Sequence, residues 1–172
     1  DNRRIILLPK ASIWESNMGF NIDKIEGAMS VADLTTTAIN HLMRHTPEKF
    51  FMMVEGGNID HAGHGNDGGT VVKEVYAFDK AIGKALEFYA AHPDETLIVV
   101  TADHETGAIV KNDDGTYSFT SGSHSAANVP VLVYGSKNII QNGETLNNYE
   151  IPIRIAYTLG FTEDEFPYEV AA

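Results

Sequence analysis

Two continuous apolar runs, separated by a long amphipathic stretch, do most to restrict what this chain can fold into. Phe50-Phe51-Met52-Met53-Val54 and Leu97-Ile98-Val99-Val100 lack the polar alternation of a half-solvated strand. Each therefore reads as a strand buried on both faces. Between them Val72, Val75, Tyr76, Asp79, Ile82, Leu86 and Tyr89 recur with a period near 3.6, which predicts a helix running from beyond Gly69 to about Ala91. Strands alternating with helices predict an α/β fold with a mainly parallel sheet. Both runs also stop abruptly in polar residues, Glu55-Gly-Gly-Asn-Ile-Asp60 after the first and Thr101-Ala-Asp103-His104 after the second.

The flanking segments fit the same architecture. Ser30-x-x-Asp33 resembles a capping box and opens a helix on which Ala32, Ala38, Ile39 and Leu42 recur through His45, before Pro47 bars continuation. Lys111 to Phe119 predicts a hairpin, with Asp114-Gly115 as its turn. Val129 to Tyr134 predicts a further strand, with Pro130 at its start because proline cannot donate to a ladder. Asn147 to Leu159 predicts a last helix that starts near Pro152. Arg4 to Leu8 is a short apolar run ended by Pro9, and Lys10 to Gly27, with the only tryptophan at Trp14, reads as irregular. There are no repeats or low-complexity segments.

Charge and composition narrow the function. Lys and Arg number 12 against 24 Asp and Glu, a formal net charge of -12, so nothing supplies the basic footprint of a nucleic-acid binder. An acidic chain still binds anionic substrates where metal ions reverse the local field. No apolar run reaches the length of a membrane span. The opening residues show no basic segment followed by an apolar stretch, the mark of a secretory signal. With no cysteine, disulfides and thiolate metal sites are excluded, which leaves the compartment open.

The histidines divide into two sets. His41 and His45 lie on the first predicted helix and His92 precedes Pro93, with no acidic cluster beside them; these read as solvated or locally packed. The other four sit where ligands gather in open α/β folds, near the carboxyl ends of strands. Glu55, Asp60, His61 and His64 follow the first strand, Asp103 and His104 end the second, and His124 lies in the loop before Val131. Imidazole with carboxylate and no thiolate suits catalytic rather than structural zinc. In Asp60-x-x-x-His64 a helical turn puts both side chains on one face. Asp103 and His104 can share an ion only if the backbone turns at the strand end, which Glu105-Thr106-Gly107 permits. The glycines crowding Asp60 let the backbone pass close to an ion or substrate. The plainer alternative is a mobile loop of hydrated polar side chains.

These segments resemble the metal-binding signatures of alkaline phosphatases. Glu55-Gly-Gly-Asn-Ile-Asp60-His61-Ala-Gly-His64 is similar to the first, Thr101-Ala-Asp103-His104-Glu-Thr-Gly107 to the next, and Gly122-Ser-His124-Ser-Ala-Ala-Asn-Val129 to the segment that supplies the last histidine. Order, spacing and intervening strands agree from about Ser30 to Gly160. The resemblance implies a phosphate monoester hydrolase with two zinc ions and one magnesium. Asp60, His64 and His124 would hold the first zinc, Asp103 and His104 would help hold the second, and Glu55 would be a magnesium ligand. His61 would stand beside the site without ligating. It also implies small phosphate monoesters as substrates, a homodimer in the full-length protein, and a periplasmic or secreted location.

The family's nucleophile motif, Asp-Ser-Ala, has no counterpart here, since no Asp-Ser pair occurs in the sequence. Members are more than twice as long, and their first half supplies that serine, a bridging aspartate and usually a phosphate-gripping arginine. The expectation is therefore a single carboxy-terminal segment, residues 1-172, of an alkaline phosphatase domain. Its fold would be a partial three-layer α/β/α sandwich, incomplete relative to the family fold, with exposed apolar surface and little or no activity alone. A partner chain supplying the rest is the other route to the same end. Two competing functions remain: a non-catalytic zinc-binding or interaction module, and weak hydrolysis by a metal-bound hydroxide without any serine.

Overall fold

The computed structural model describes residues 19–23, 26–46 and 48–166. The Arg4–Leu8 run, most of the irregular segment around Trp14, and the end of the acidic tail lie outside the described residues. The chain divides into two compact units. One comprises the residues up to Phe88 together with His104–Val129, and the other Tyr89–Asp103 together with the residues from Pro130 onward.

In the first unit, helix α1 spans Val31–His45. Ser30 caps it: its hydroxyl accepts from the Asp33 amide, and the Asp33 carboxylate accepts from the Ser30 amide at 2.9 Å. This reciprocal pairing satisfies two of the amide donors that a helix start leaves open. Helix α2, Asn58–His64, is short and follows Gly56-Gly57. Helix α3, Gly68–Ala91, starts after Asp67, whose carboxylate accepts from both the amide and the hydroxyl of Thr70.

The face that α3 buries differs from the one its large apolar residues mark. Thr70, Glu74, Ala77 and Ala81 form the buried stripe, at the three- and four-residue spacing of one helix face. Val72 is 66% exposed and Tyr76 61%, with Val75 and Leu86 exposed as well. The predicted period is correct, but small residues are buried while large ones face outward. Glu74 is a buried carboxylate and is matched accordingly. Its two oxygens accept from the Asn21 amide nitrogen at 2.5 Å and the Asn21 side chain at 2.6 Å.

Three two-stranded ladders are present among the described residues, all antiparallel. In the first unit β2 (Glu105–Thr106) pairs with β5 (His124–Ser125), and β3 (Ile109–Lys111) pairs with β4 (Tyr117–Phe119). The predicted hairpin is the second of these, its turn closed at Gly115 with φ of 85°. In the second unit β1 (Leu97–Val100) pairs with β6 (Leu132–Gly135), in the register Leu97 to Gly135 and Val100 to Leu132. Pro130 stands before β6, and its carbonyl accepts from the Thr101 hydroxyl at 3.1 Å. Helix α4, Glu150–Leu159, carries Pro152 in its first turn, where no intrahelical donor is lost, and ends at Gly160 with φ of 98°.

Two expectations need correction. The mainly parallel sheet is not what the described strands form, since β1 takes an antiparallel partner. A continuous apolar run marks a strand that wants cover and does not encode the direction of its neighbour. Nor is Phe50–Val54 a buried strand. It lies outside every ladder among the described residues, and its side chains alternate, with Phe51 61% exposed and Met53 77% exposed while Phe50, Met52 and Val54 are half-buried. The ring of Phe50 meets Phe88 at 6.0 Å. Among the described residues the buried apolar positions are mostly alanines, Ala32, Ala62, Ala77 and Ala81 in the first unit and Ala156 beside Ile140 in the second. Large apolar side chains are left exposed, as the sequence led us to expect.

Candidate metal centre

The site lies in the first unit, where α2 meets the β2–β5 ladder. Asp60 is in the first turn of α2, where the helix dipole favours a carboxylate, and His64 is one turn further on the same face. The contact between helix and ladder depends on Gly63. A Cβ there would stand 3.1 Å from the Cβ and Cγ2 of Thr106, so a side chain would require Thr106 to give way. His124 comes from β5, directly across the ladder from Thr106.

The turn after β2 brings the His124 loop into place. Gly107 has φ of 100°, and its amide donates to Ser123 while its carbonyl accepts from the amides of Thr120 and Ser121. A Cβ at Gly107 would fall 2.5 Å from the Phe119 ring, so both the conformation and the space require glycine. Glu105 holds the other edge of this turn. Its carboxylate accepts from the amides of Ala108 and Ile109 at 3.1 and 3.0 Å and from the hydroxyl of Ser125, next to His124. The Ser125 hydroxyl and these amides hold the Glu105 carboxyl below its usual range.

Four atoms of three side chains converge here. Asp60 Oδ2 lies 3.3 Å from His64 Nε2, Asp60 Oδ1 lies 3.2 Å from His124 Nε2, and the two Nε2 atoms are 3.0 Å apart. His64 Nδ1 is 2.8 Å from the carbonyl of Gly122. A carbonyl only accepts, so in the neutral ring Nδ1 carries the proton and Nε2 presents its lone pair to the cluster. Burial pushes the Asp60 carboxyl up, but the Thr106 hydroxyl and then the imidazoles of His64, His124 and His104 outweigh it and hold it below the ordinary value. A carboxylate and the His64 Nε2 lone pair turned toward one another, with His124 Nε2 beside both, need a cation or a shared proton between them. Ligand atoms about 2.0–2.1 Å from a tetrahedral ion are roughly 3.3 Å from each other, which matches this spacing. Asp60, His64 and His124 are also the one group among the described residues whose donor atoms fit around a single ion. The residues present therefore fit a zinc-type ion in donor chemistry, spacing and orientation.

The other residues singled out in the sequence are placed differently. His104 stands beside the group, its ring stacked on that of His124 at 3.6 Å and its Nδ1 3.3 Å from the Thr106 hydroxyl. Asp103 belongs to the second unit. Glu55 is exposed, in the extended segment before α2, with its carboxylate folded over Gly57. His61 is exposed on α2, and as the neighbour of Asp60 it does not share that residue's face. Reasoning from sequence missed Glu105, Thr106, Gly122 and Ser125. One signal was available: His104 and Thr106 are two apart, and a strand puts such residues on one face.

A family model described as alkaline phosphatase matches residues 13–143. The chain belongs to the alkaline phosphatase family. It is 39% identical over 121 residues to the repressible alkaline phosphatase of Saccharomyces cerevisiae, covering 66% of this chain and 21% of that protein. To alkaline phosphatase 3 of Bacillus subtilis it is 41% identical over 106 residues, covering 62% of this chain and 22% of that one. The chain thus spans about a fifth of the length of these curated relatives. Among solved structures it resembles alkaline phosphatase from the Antarctic bacterium TAB5, with a TM-score of 0.53 and 32% identity over 66% of this chain and 36% of that one. A mutant of TAB5 alkaline phosphatase with Mg bound in its M3 site gives a TM-score of 0.54 and 37% identity, covering 61% of this chain and 34% of that one. The mixed helix and strand content thus has neighbours among alkaline phosphatase folds. No helix among the described residues is long and apolar enough to cross a membrane.

Proposed function

We propose that this chain is the metal-holding, carboxy-terminal part of a phosphate monoester hydrolase, with the serine nucleophile supplied from outside these 172 residues. Residues 1-172 then form one segment of a larger domain. The observation that carries the reading is the convergence of Asp60, His64 and His124, with the His64 proton held away from the cluster by Gly122. Those three residues hold the first zinc. Asp103 and His104 contribute to a second zinc, Glu55 contributes to magnesium, and His61 stands beside the site without ligating. Ions held there would supply positive charge for a phosphoryl displacement.

The chain's own residues supply charge and orientation. Asp60 stays ionised because the Thr106 hydroxyl and the imidazoles outweigh its desolvation. The Gly122 carbonyl fixes the His64 ring, and the stacked ring of His104 backs His124. The ions also offset the acidity of the chain where a phosphate monoester must bind. Exposed Phe51 and Met53, in a segment outside any ladder among the described residues, support a fold completed by strands from elsewhere, the three-layer sandwich with its parallel sheet. They weigh against a self-contained zinc-binding module. The whole protein is taken to be a homodimer acting outside the cytoplasm, on the strength of family membership.

Hydrolysis of a simple aryl phosphate at alkaline pH tests this reading, in the full-length protein that contains these residues. Turnover that disappears on chelation and returns with zinc and magnesium is expected, and His124→Ala should lower it by at least about tenfold even at added metal. Undiminished turnover in His124→Ala would remove these residues from the reaction.

A further inference from the structure

Thr106 occupies a position that no metal-ligand motif points to. It lies in β2, opposite His124 and beneath Gly63 of α2. Its hydroxyl oxygen is 2.5 Å from Asp60 Oδ1 and 3.3 Å from His104 Nδ1. A threonine hydroxyl has one proton to donate. The 2.5 Å contact directs that proton to Asp60 Oδ1. What the hydroxyl then offers His104 is a lone pair, which an Nδ1–H group can meet. Such a contact favours the Nδ1–H tautomer of the neutral His104 ring.

From this geometry we infer that Thr106 is a positioning residue that orients Asp60 and selects the metal-binding tautomer of His104. One hydroxyl would then link a ligand of the first zinc to a ligand of the second. The inference rests on the proposed metal assignment, and it goes beyond it by giving the two ion positions a common support. Gly122 plays the comparable part for His64, through a backbone carbonyl that substitution does not remove. Thr106 does it through a side chain, so it can be tested. Groups that hydrogen-bond to metal ligands characteristically change metal affinity by about 10–100-fold when removed.

The test uses the full chain, with zinc affinity read by competition against a chromophoric chelator and the cobalt-substituted protein read by its visible absorption. Thr106→Val keeps the shape and removes the hydroxyl. It should weaken zinc binding by about 10–100-fold, alter the cobalt spectrum, and remove the Nδ1–H tautomer of His104 seen by nitrogen NMR, whereas Thr106→Ser should restore all three. Should valine unfold the chain, Thr106→Ala against Thr106→Ser makes the same comparison. Valine or alanine binding zinc as tightly as serine does would overturn the inference, and so would an unchanged His104 tautomer. Failure of the unaltered chain to bind zinc would instead overturn the metal assignment, so the two failures are distinguishable.

Discussion

In the first unit the buried positions of α3 are Thr70, Glu74, Ala77 and Ala81, with Glu74 bonded to Asn21, and the contacts that shape the site are polar: Glu105 with Ser125, Thr106 with Asp60. In the second unit the buried residues are Ile140 and Ala156, and order comes from the regular β1–β6 ladder and a clamp between Arg154 and Glu144. The clamp is bidentate, at 3.0 and 2.6 Å, and Arg154 donates as well to the Ile139 carbonyl. The comparison shows two uses of hydrogen bonding. Around the site, directional bonds hold particular oxygens and nitrogens in place, where apolar packing would fix only volume. In the second unit one ion pair ties α4 to the preceding loop, and neither of its two residues is assigned to a metal.

The strongest way to break this contrast is at Gly107. Gly107→Ala puts a Cβ into the Phe119 ring at a backbone angle that alanine disfavours, so a loss of roughly 2–4 kcal/mol is expected. The damage should be selective. His124 should lose its place and zinc binding with it, while amide exchange protection in the β1–β6 ladder changes little. Equal loss in both units would mean that the turn at Gly107 supports the whole chain and not the site alone.

A smaller effect is expected in the second unit. The Arg154 hydrogen bonds and the Gln141 amide lower the Glu144 carboxyl from 4.5 to about 2. A depressed carboxyl stabilises the folded form above its unfolded value, and that contribution fades as pH falls toward the folded one. The clamp is thus intact at neutral pH and is lost between about pH 4.5 and 2. Arg154→Met should return the Glu144 titration, followed by carbon NMR, toward its ordinary range, lower the thermal midpoint only slightly at neutral pH, and leave zinc binding unchanged. Altered zinc affinity in that variant would show that the two units are not as separate in their roles as their contacts indicate.

Much of this was legible in the sequence, for identifiable reasons. The Ser30–Asp33 cap, the Asp114-Gly115 hairpin and the extent of α3 follow from local chemistry, and all three are found. The Asp60–His64 pairing was legible because four-residue spacing on a helix leaves few other outcomes. The buried face of α3 was not, because Val72 and Tyr76 mark it as apolar while Glu74 and Thr70 are the residues covered. A buried glutamate is invisible in a pattern until its partner, here Asn21 at a separation of 53 residues, is known. Sheet direction was misread for a related reason: Leu97–Val100 says nothing about which strand will lie beside it. Thr106 was passed over since a hydroxyl within Asp-His-Glu-Thr-Gly looks like punctuation until the fold sets it against Asp60.

The most direct measurement is zinc content of the purified chain, set against the Asp60→Ala, His64→Ala double variant. About one tightly held zinc per chain, lost in the double variant with the fold preserved by circular dichroism, is the expected result. Zinc absent from the unaltered chain, or retained in the variant, would contradict the metal assignment, and the alkaline phosphatase relationship would then stand for ancestry without the site.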